Sequence, residues 1–222
     1  MAHAFETLLI QIREQLLMMS SITERNFSLA LRAVLERDDS FADTVEADDD
    51  EIDQLEVQID EMIVTYIATR GPVATDCRLM MCASKICRDL ERIGDEATTI
   101  ARRGRELNHE PALSEFLNVI PLMADTAQEM LRDAIGAYID GNVESAPEII
   151  ARDKSVDALL KSHLKELIEK MKTDSSSITR CIGLLRITKA IERVADHAAN
   201  IAEEVYYLYK AQDLRHGQNK PS

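Results

Sequence analysis

Carboxylates spaced four residues apart are the side chains in this sequence best suited to chemistry. On an α-helix, residues four apart lie one turn apart on the same face. Two carboxylates held in this way destabilise the helix by about 0.2–0.5 kcal/mol, and a hard cation would relieve the repulsion because it binds carboxylate oxygens. Four such pairs attract attention: Asp49 and Asp53, Glu91 and Asp95, Asp153 and Asp157, and Glu192 and Asp196.

The same pairs recur in the two halves of the chain. The segment ADDDEID at residues 47–53 aligns with ARDKSVD at 151–157, and LERIGDEA at 90–97 aligns with IERVADHA at 191–198. The first pair also lies in a stretch, residues 38–61, that has twelve acidic residues and no basic one. A single pair would be typical of a solvated helix face, but the fourfold recurrence makes a metal site an equally good interpretation.

Basic residues flank the two pairs in the segments 90–97 and 191–198. We interpret them as counter-ions that neutralise the acids across one helical turn, where each contact contributes little. The alternative is that they complete a mixed-charge binding site. They are Lys85, Arg88 and Arg92 in the first half, and Arg186, Lys189 and Arg193 in the second.

Histidine could add a nitrogen ligand at one of these sites. His197 and Asn200 follow the last carboxylate pair, and either could join a metal site. The first half has Glu96 and Thr99 at the corresponding positions. Any contribution from histidine is therefore expected in the second half alone.

Two further histidines have simpler interpretations. His163 lies near the apolar face of a predicted helix, and we expect it to be a hydrogen-bonded interface residue. His109 forms a Glu-x-x-His motif with Glu106. Ferritin-like di-metal oxidases need two such motifs on separate helices and two further glutamates, so a single motif at a helix end gives a di-metal enzyme little support.

Helical periodicity defines the elements that must position these side chains. Apolar residues recur at steps of four and three from Leu79 to Ile100 and again from Leu184 to Leu208. A shift of 101 residues maps the first stripe onto the second from Ala83 onward, which indicates an internal repeat. The pattern and its Gly, Pro and Ser breaks predict helices at 4–37, 41–69, 74–106, 112–140, 144–172 and 176–212.

We therefore predict an all-α fold of two tandem, related three-helix bundles. Because the connections are short, the six long helices should be antiparallel neighbours, and the two acidic pairs of each half should converge at a shared helix edge. The bundles would share one side or pack end to end. The predicted units are residues 1–108 and 109–212, followed by a disordered tail at 213–222.

Composition and charge exclude several classes of protein. Seven glycines and five prolines are too few for a many-turned β-fold. The net charge of −14 repels phosphodiesters, so no nucleic-acid ligand is expected. No apolar run is long enough to span a membrane, and the N-terminal residues do not have the pattern of a signal peptide. No phosphate-binding loop, dinucleotide fingerprint or nucleophile elbow occurs, which predicts a protein that is not an enzyme.

The cysteines are expected to be structural. Cys77, Cys82 and Cys87 are five residues apart on one predicted helix, so they share no metal-binding face. We interpret these three and Cys181 as reduced, buried residues of a cytoplasmic protein.

Several motifs, taken together and in order, resemble the PhoU family. They are the repeated Asp-x-x-x-Asp-x-Leu at 49–55 and 153–159, PVATDCR at 72–78, DLERIGD at 89–95 and IERVADHAANIA at 191–202. The resemblance covers about residues 5–210. It implies two three-helix bundles and a cytoplasmic protein that is often a homodimer. Two departures stand out, because Glu96 replaces the usual histidine and Thr98-Thr99 lies near the usual asparagine.

The resemblance also implies a function and a set of ligands. PhoU proteins exert negative control on the phosphate-starvation regulon by coupling a phosphate ABC transporter, through its ATPase subunit, to a sensor histidine kinase. They reach the membrane only through these partners. The family's carboxylate motifs, which hold multinuclear metal clusters on the bundle surface, correspond here to Asp49/Asp53, Glu91/Asp95, Asp153/Asp157 and Glu192/Asp196.

Three hypotheses follow for the function. The first is a non-catalytic regulator that carries metal ions on its carboxylate clusters; iron, zinc, manganese, magnesium or calcium would suit them. The second is a metal-independent helical adaptor whose acids only steer its partners. The third, a di-metal carboxylate enzyme, has the least support.

Overall fold

The computed structural model describes residues 2–212 and 214 and contains six long helices within them. No strand occurs among the described residues, which confirms the all-α prediction. The predicted tail, 213–222, lies outside the described residues except for Leu214. The helices are α1 (Ala2–Leu35), α2 (Asp39–Arg70), α3 (Ala74–Asn108), α4 (Val119–Asp140), α5 (Ala146–Thr173) and α6 (Ile178–Lys210).

Local sequence signals explain most helix ends. The Asp38 side chain accepts a hydrogen bond from the backbone N–H of Ser40 at 2.9 Å and caps the start of α2. α2 and α4 end at Gly71 and Gly141, whose φ angles of +56° and +68° suit glycine. α6 ends two residues before its predicted limit because Ala211 adopts a left-handed conformation, with φ +54°.

The start of α4 differs most from the prediction. The sequence pattern placed it at residue 112, but the helix begins at Val119 and is preceded by a short 3₁₀ turn at Ser114–Phe116. Pro121 explains the difference. In the first turn of a helix its missing N–H costs nothing, whereas ten residues into a helix its ring would clash with the preceding turn.

Each half of the chain forms a three-helix bundle, and the two bundles lie side by side. α1, α2 and α3 pack on one another, as do α4, α5 and α6. α3 packs along α6 at the centre, and α1 also touches α4. α2 therefore lies on the outer edge of the first bundle and α5 on the outer edge of the second.

The predicted apolar stripes form the core. From Ala83 to Ile100 every stripe residue of α3 is fully buried, and the α6 stripe from Leu184 to Leu208 is buried throughout. Leu79 is only partly buried. Cys82, Cys87 and Cys181 are buried and unbridged as predicted, while Cys77 is half-buried. None of the described helices combines the length and apolar composition that crossing a membrane requires.

Candidate metal centre

Polar contacts set the register between α2 and α3. The Thr98 hydroxyl donates a hydrogen bond to Asp49 Oδ1 at 3.1 Å, and the Ser84 hydroxyl donates to Asp60 Oδ1 at 3.0 Å. From Asp49 to Asp60 the residue number rises along α2, whereas the number of the partner on α3 falls from Thr98 to Ser84. The two helices are therefore antiparallel. This register places Asp53, which lies between the two anchors, beside the turn that carries Glu91 and Asp95.

A glycine lets the two helices approach closely at this turn. Gly94 lies between Glu91 and Asp95, and a Cβ atom built on it would meet Ile52 Cδ1 at 3.0 Å. Ile52 immediately precedes Asp53. The small residue thus brings the backbone of α2 close to α3 at the point where the two acidic pairs meet.

The first carboxylate cluster, Asp49, Asp53, Glu91 and Asp95, is electrostatically coupled. Burial, together with the charges of Asp95 and Asp53, raises the pKa of Glu91 to about 7, although Arg92 opposes the shift. Burial also raises the pKa of Asp49, with Asp53 and Asp95 adding to the effect. The charges of the predicted pairs on α2 and α3 therefore act on one another across the edge between the two helices.

Glu56 belongs to the same edge, and the sequence analysis missed it as a candidate. Burial raises its pKa, and the charges of Asp60 and Asp53 contribute. Its charge in turn helps to raise the pKa of Glu91. The signal was its spacing: Glu56 is seven residues after Asp49 and so lies on the same face of α2.

The second carboxylate cluster, Asp153, Asp157, Glu192 and Asp196, repeats this arrangement between α5 and α6. Burial, together with the charges of Asp196, Asp157 and Glu192, raises the pKa of Asp153 to about 6. Burial and Glu192 also raise the pKa of Asp196. Glu192 itself is buried, with 6% of its surface exposed. The charges of these four carboxylates thus act on one another across the edge between α5 and α6.

Each cluster contains a buried carboxylate oxygen that accepts no hydrogen bond within the described part of the chain. These atoms are Glu91 Oε2 and Asp153 Oδ1. Arg92 Nε lies 3.3 Å from Glu91 Oε2, close enough for an ion pair but without hydrogen-bond geometry. A buried anionic oxygen without a donor is costly. The donor set, made only of carboxylate oxygens, therefore fits a hard cation.

The side chains, however, are not gathered around a single point. Among the described residues, no three His, Cys, Asp or Glu side chains form a group that could hold a metal ion as they stand. Basic side chains supply the counter-charge instead. Arg92 reaches Asp95 at 3.2 Å, and Lys189 reaches Glu192 at 2.5 Å. This is the neutralising role that the sequence predicted for the flanking basic residues.

A row of ion pairs between α3 and α6 was not predicted. Lys85 Nζ lies 2.9 Å from Glu204 Oε1, and Arg193 Nη1 lies 2.9 Å from Glu96 Oε1. His197, a predicted candidate ligand, instead places Nδ1 2.8 Å from Oδ1 of Asp89. We call these three contacts the central seam, because they join the two bundles.

The remaining candidates lie away from both clusters. His163 is buried as expected, but its Nε2 has no hydrogen-bond partner within the described residues, and burial lowers its pKa. His109 is exposed at the end of α3, where its Nε2 lies 3.6 Å from Asp39 Oδ2. Glu106 pairs with Arg103 at 2.7 Å, and Asn200 is exposed. The single Glu-x-x-His motif therefore forms no di-metal site with the described residues.

Comparison with known proteins gives consistent matches over both halves. The model of the PhoU domain matches residues 16–104 and 120–205. The phosphate-specific transport system accessory protein PhoU homolog of Pseudomonas putida is 37% identical over 212 residues, which cover 96% of this chain and 83% of that protein. The phosphate-specific transport system accessory protein PhoU of Escherichia coli K12 is 35% identical over 215 residues, covering 96% and 88%.

Solved structures agree with these matches. The crystal structure of PhoU from Pseudomonas aeruginosa superposes with a TM-score of 0.91 at 35% identity, covering 94% of this chain and all of that one (100%). The phosphate transport system regulatory protein PhoU from Streptococcus pneumoniae superposes with a TM-score of 0.86 at 26% identity, covering 95% and 99%.

Proposed function

The chain belongs to the PhoU family, and we propose that it is a non-catalytic accessory protein that regulates a phosphate transport system. Two PhoU domains account for nearly all of the described fold. Its relatives are named as accessory and regulatory proteins of phosphate transport systems. The proposed role is negative control of the phosphate-starvation response, exerted in the cytoplasm by a homodimer that couples the transporter ATPase to a sensor histidine kinase.

A genetic experiment tests this regulatory role. Deleting the gene should raise expression from a phosphate-starvation promoter in phosphate-rich medium, and restoring the chain should return expression to its repressed level. Purified chain should also bind the ATPase subunit of the phosphate transporter and the cytoplasmic part of the sensor kinase. Unchanged promoter activity after deletion, together with no binding to either protein, would contradict the proposal.

The second part of the proposal is that each carboxylate cluster holds metal ions. The observation that carries it is the duplication: two helix edges, related by the internal repeat, each carry four carboxylates and bury one carboxylate oxygen that accepts no hydrogen bond from a described residue. Structural packing alone gives no reason for both halves to keep this costly arrangement. A bound cation would neutralise the mutual repulsion of these carboxylates.

The chain's own residues define what binding requires. Asp49 and Asp53 on α2 and Glu91 and Asp95 on α3 would supply oxygens, so occupancy would tie the two helices together. Arg92 would have to leave Asp95 and Glu91, which it contacts at 3.2 Å and 3.3 Å. In the second cluster Lys189 would have to leave Glu192, and Lys161 would have to leave Asp157. Binding would thus free basic side chains on the surface of each bundle.

Metal analysis of untagged protein tests this part directly. Protein prepared without chelator should contain bound metal, and Asp53→Asn and Asp157→Asn should each lower the content. Asp125→Asn, at an exposed position on α4 outside both clusters, serves as the matched control. Metal at a hundredfold excess over its Kd should stabilise the fold by about 2.7 kcal/mol. Identical melting curves with metal and with chelator would rule out the metal sites.

A metal-independent adaptor is the second candidate. It is favoured by the ion pairs that already neutralise the clusters, such as Lys189 with Glu192 and Lys161 with Asp157. This candidate predicts partner binding that weakens with salt and ignores chelators. The third hypothesis, a di-metal oxidase, predicts that the protein consumes oxygen after it is loaded with iron. The absence of oxygen consumption would contradict this hypothesis.

A further inference from the structure

The outer face of α2 exposes three large aliphatic side chains. Val57, Val64 and Ile67 are 58%, 64% and 46% exposed. Val57 and Val64 are seven residues apart, so they lie on the same face of the helix, about 10 Å from each other along its axis. Asp60 and Glu61 lie on this face between the two valines. The pattern is apolar at both ends and acidic in the middle.

A groove runs beside this face between α1 and α2. It has an open volume of about 630 Å³, and its lining includes Leu8 and Gln15 from α1 and Gln58, Glu61 and Met62 from α2. The groove therefore combines apolar side chains with the acidic side chain of Glu61.

The charge of this face restricts its occupant. No lysine or arginine occurs from residue 38 to residue 69, so α2 carries only acidic charge before Arg70. A second copy of the chain would present the same acids, and an anionic membrane would likewise be repelled. A segment with lysines or arginines between apolar residues complements both the acids and the valines.

We propose that the outer face of α2 and the adjoining groove, together the α2 face, dock a basic amphipathic helix of a partner protein. Apolar side chains spaced seven residues apart on that helix would cover Val57 and Val64, and basic side chains between them would meet Asp60 and Glu61. Helices commonly bind grooves in this way. The proposal needs neither carboxylate cluster to hold metal, so it can fail or succeed independently of that part of the proposed function.

Binding of a defined peptide tests the proposal on the full-length chain. The probe is a fluorescein-labelled helical peptide with leucines seven residues apart and lysines between them, measured by fluorescence polarisation in the presence of chelator. The double variant Val57→Ser/Val64→Ser should bind the peptide at least tenfold more weakly. Val73→Ser, which removes an equally exposed valine (67%) from the turn before α3, should bind within twofold of the unmodified chain.

Charge is tested separately. Glu61→Lys should weaken binding several-fold, and replacing the peptide lysines with glutamates should abolish it. Because Val57, Val64 and Glu61 are all exposed, these variants should keep the helical content and melting temperature of the unmodified chain. If the double variant does not fold, Glu61→Lys alone tests the proposal.

Four results would overturn the proposal. The first is equal peptide affinity for Val57→Ser/Val64→Ser and Val73→Ser, and the second is unchanged affinity for Glu61→Lys. The third is a dimer, measured by light scattering, that dissociates in the double variant, which would make a second copy the occupant. The fourth is binding of phosphatidylserine vesicles that depends on the two valines, which would make a membrane the occupant.

Discussion

Replacing Glu91 with glutamine should stabilise the chelator-treated protein at alkaline pH. The unfolded chain ionises this carboxyl near its ordinary pKa of 4.5, whereas burial and neighbouring acids raise the pKa in the fold to about 7. Between these two values the folded chain holds more protons than the unfolded chain. The free energy of unfolding therefore falls as the pH rises through this window, and the penalty is complete above pH 7.

The structure sets the size of the effect. At about 1.4 kcal/mol for each pKa unit, the ionised Glu91 destabilises the fold by at most about 3 kcal/mol. Residual solvation of a side chain that is 15% exposed reduces this penalty. We therefore expect glutamine to raise the free energy of unfolding by about 1–2 kcal/mol at pH 8, and by much less at pH 5.

Urea unfolding with EDTA at both pH values measures the effect. Glu51→Gln, at an exposed position on the same hairpin, controls for the loss of one negative charge. If Glu91→Gln destabilised the protein at pH 8, or matched Glu51→Gln at both pH values, the electrostatic account of the first cluster would be wrong. With the proposed metal bound, Glu91→Gln should instead be less stable than the unmodified chain, because the variant lacks an anionic oxygen ligand.

Three further substitutions test the packing of the fold by urea unfolding. Lys85→Met should destabilise the protein by about 2–3 kcal/mol at pH 7, because Glu204 is only 8% exposed and loses its lysine. Gly104→Ala should destabilise it by about 1 kcal/mol or more, since the new Cβ would lie 2.8 Å from Val34 Cγ2 and outweigh the helix preference of alanine. His163→Leu should make the protein more stable than the unmodified chain as the pH falls below about 6.5, because burial lowers the pKa of this histidine and only the unfolded chain gains the proton.

Matched controls accompany these three variants. Lys172→Met removes an exposed ion pair with Glu169 and should change stability by no more than about 1 kcal/mol. Gly136→Ala, where a Cβ meets nothing within 4 Å, should be stabilising. His109→Leu, at a 74% exposed site, controls for the replacement of one histidine by leucine. A variant that behaved like its control would show that the proposed contact contributes little.

The helices could be predicted because they depend on local periodicity and on the repeat. The stripe from Ala83 to Ile100 and its copy in α6 set which faces are buried, and burying them brings the acidic pairs to the helix edges. The start of α4 was wrong because apolar periodicity continues through Pro121, although the backbone cannot.

The central seam could not be predicted from the repeat. Asp89 pairs with His197 across two bundles, yet the residue that aligns with Asp89 in the second half is Ala190. A search for features shared by the halves therefore passes over it. Which residue of α3 pairs with which residue of α6 depends on the register between the two helices, and no local sequence pattern predicts that register. The sequence analysis consequently assigned His197 to a metal site rather than to this contact.

The contacts of the central seam also differ between the native pairing of the first half with the second half and a pairing of two first halves. Shifting each residue by 101 positions shows what two copies of the first half would place opposite each other: Lys85 would face Arg103, the counterpart of Glu204, and Asp89 would face Glu96. Both encounters join like charges, whereas at the third contact Arg92 would take the place of Arg193 opposite Glu96 and the attraction would remain. Two of the three contacts of the central seam therefore favour pairing of the first half with the second half over pairing with another first half.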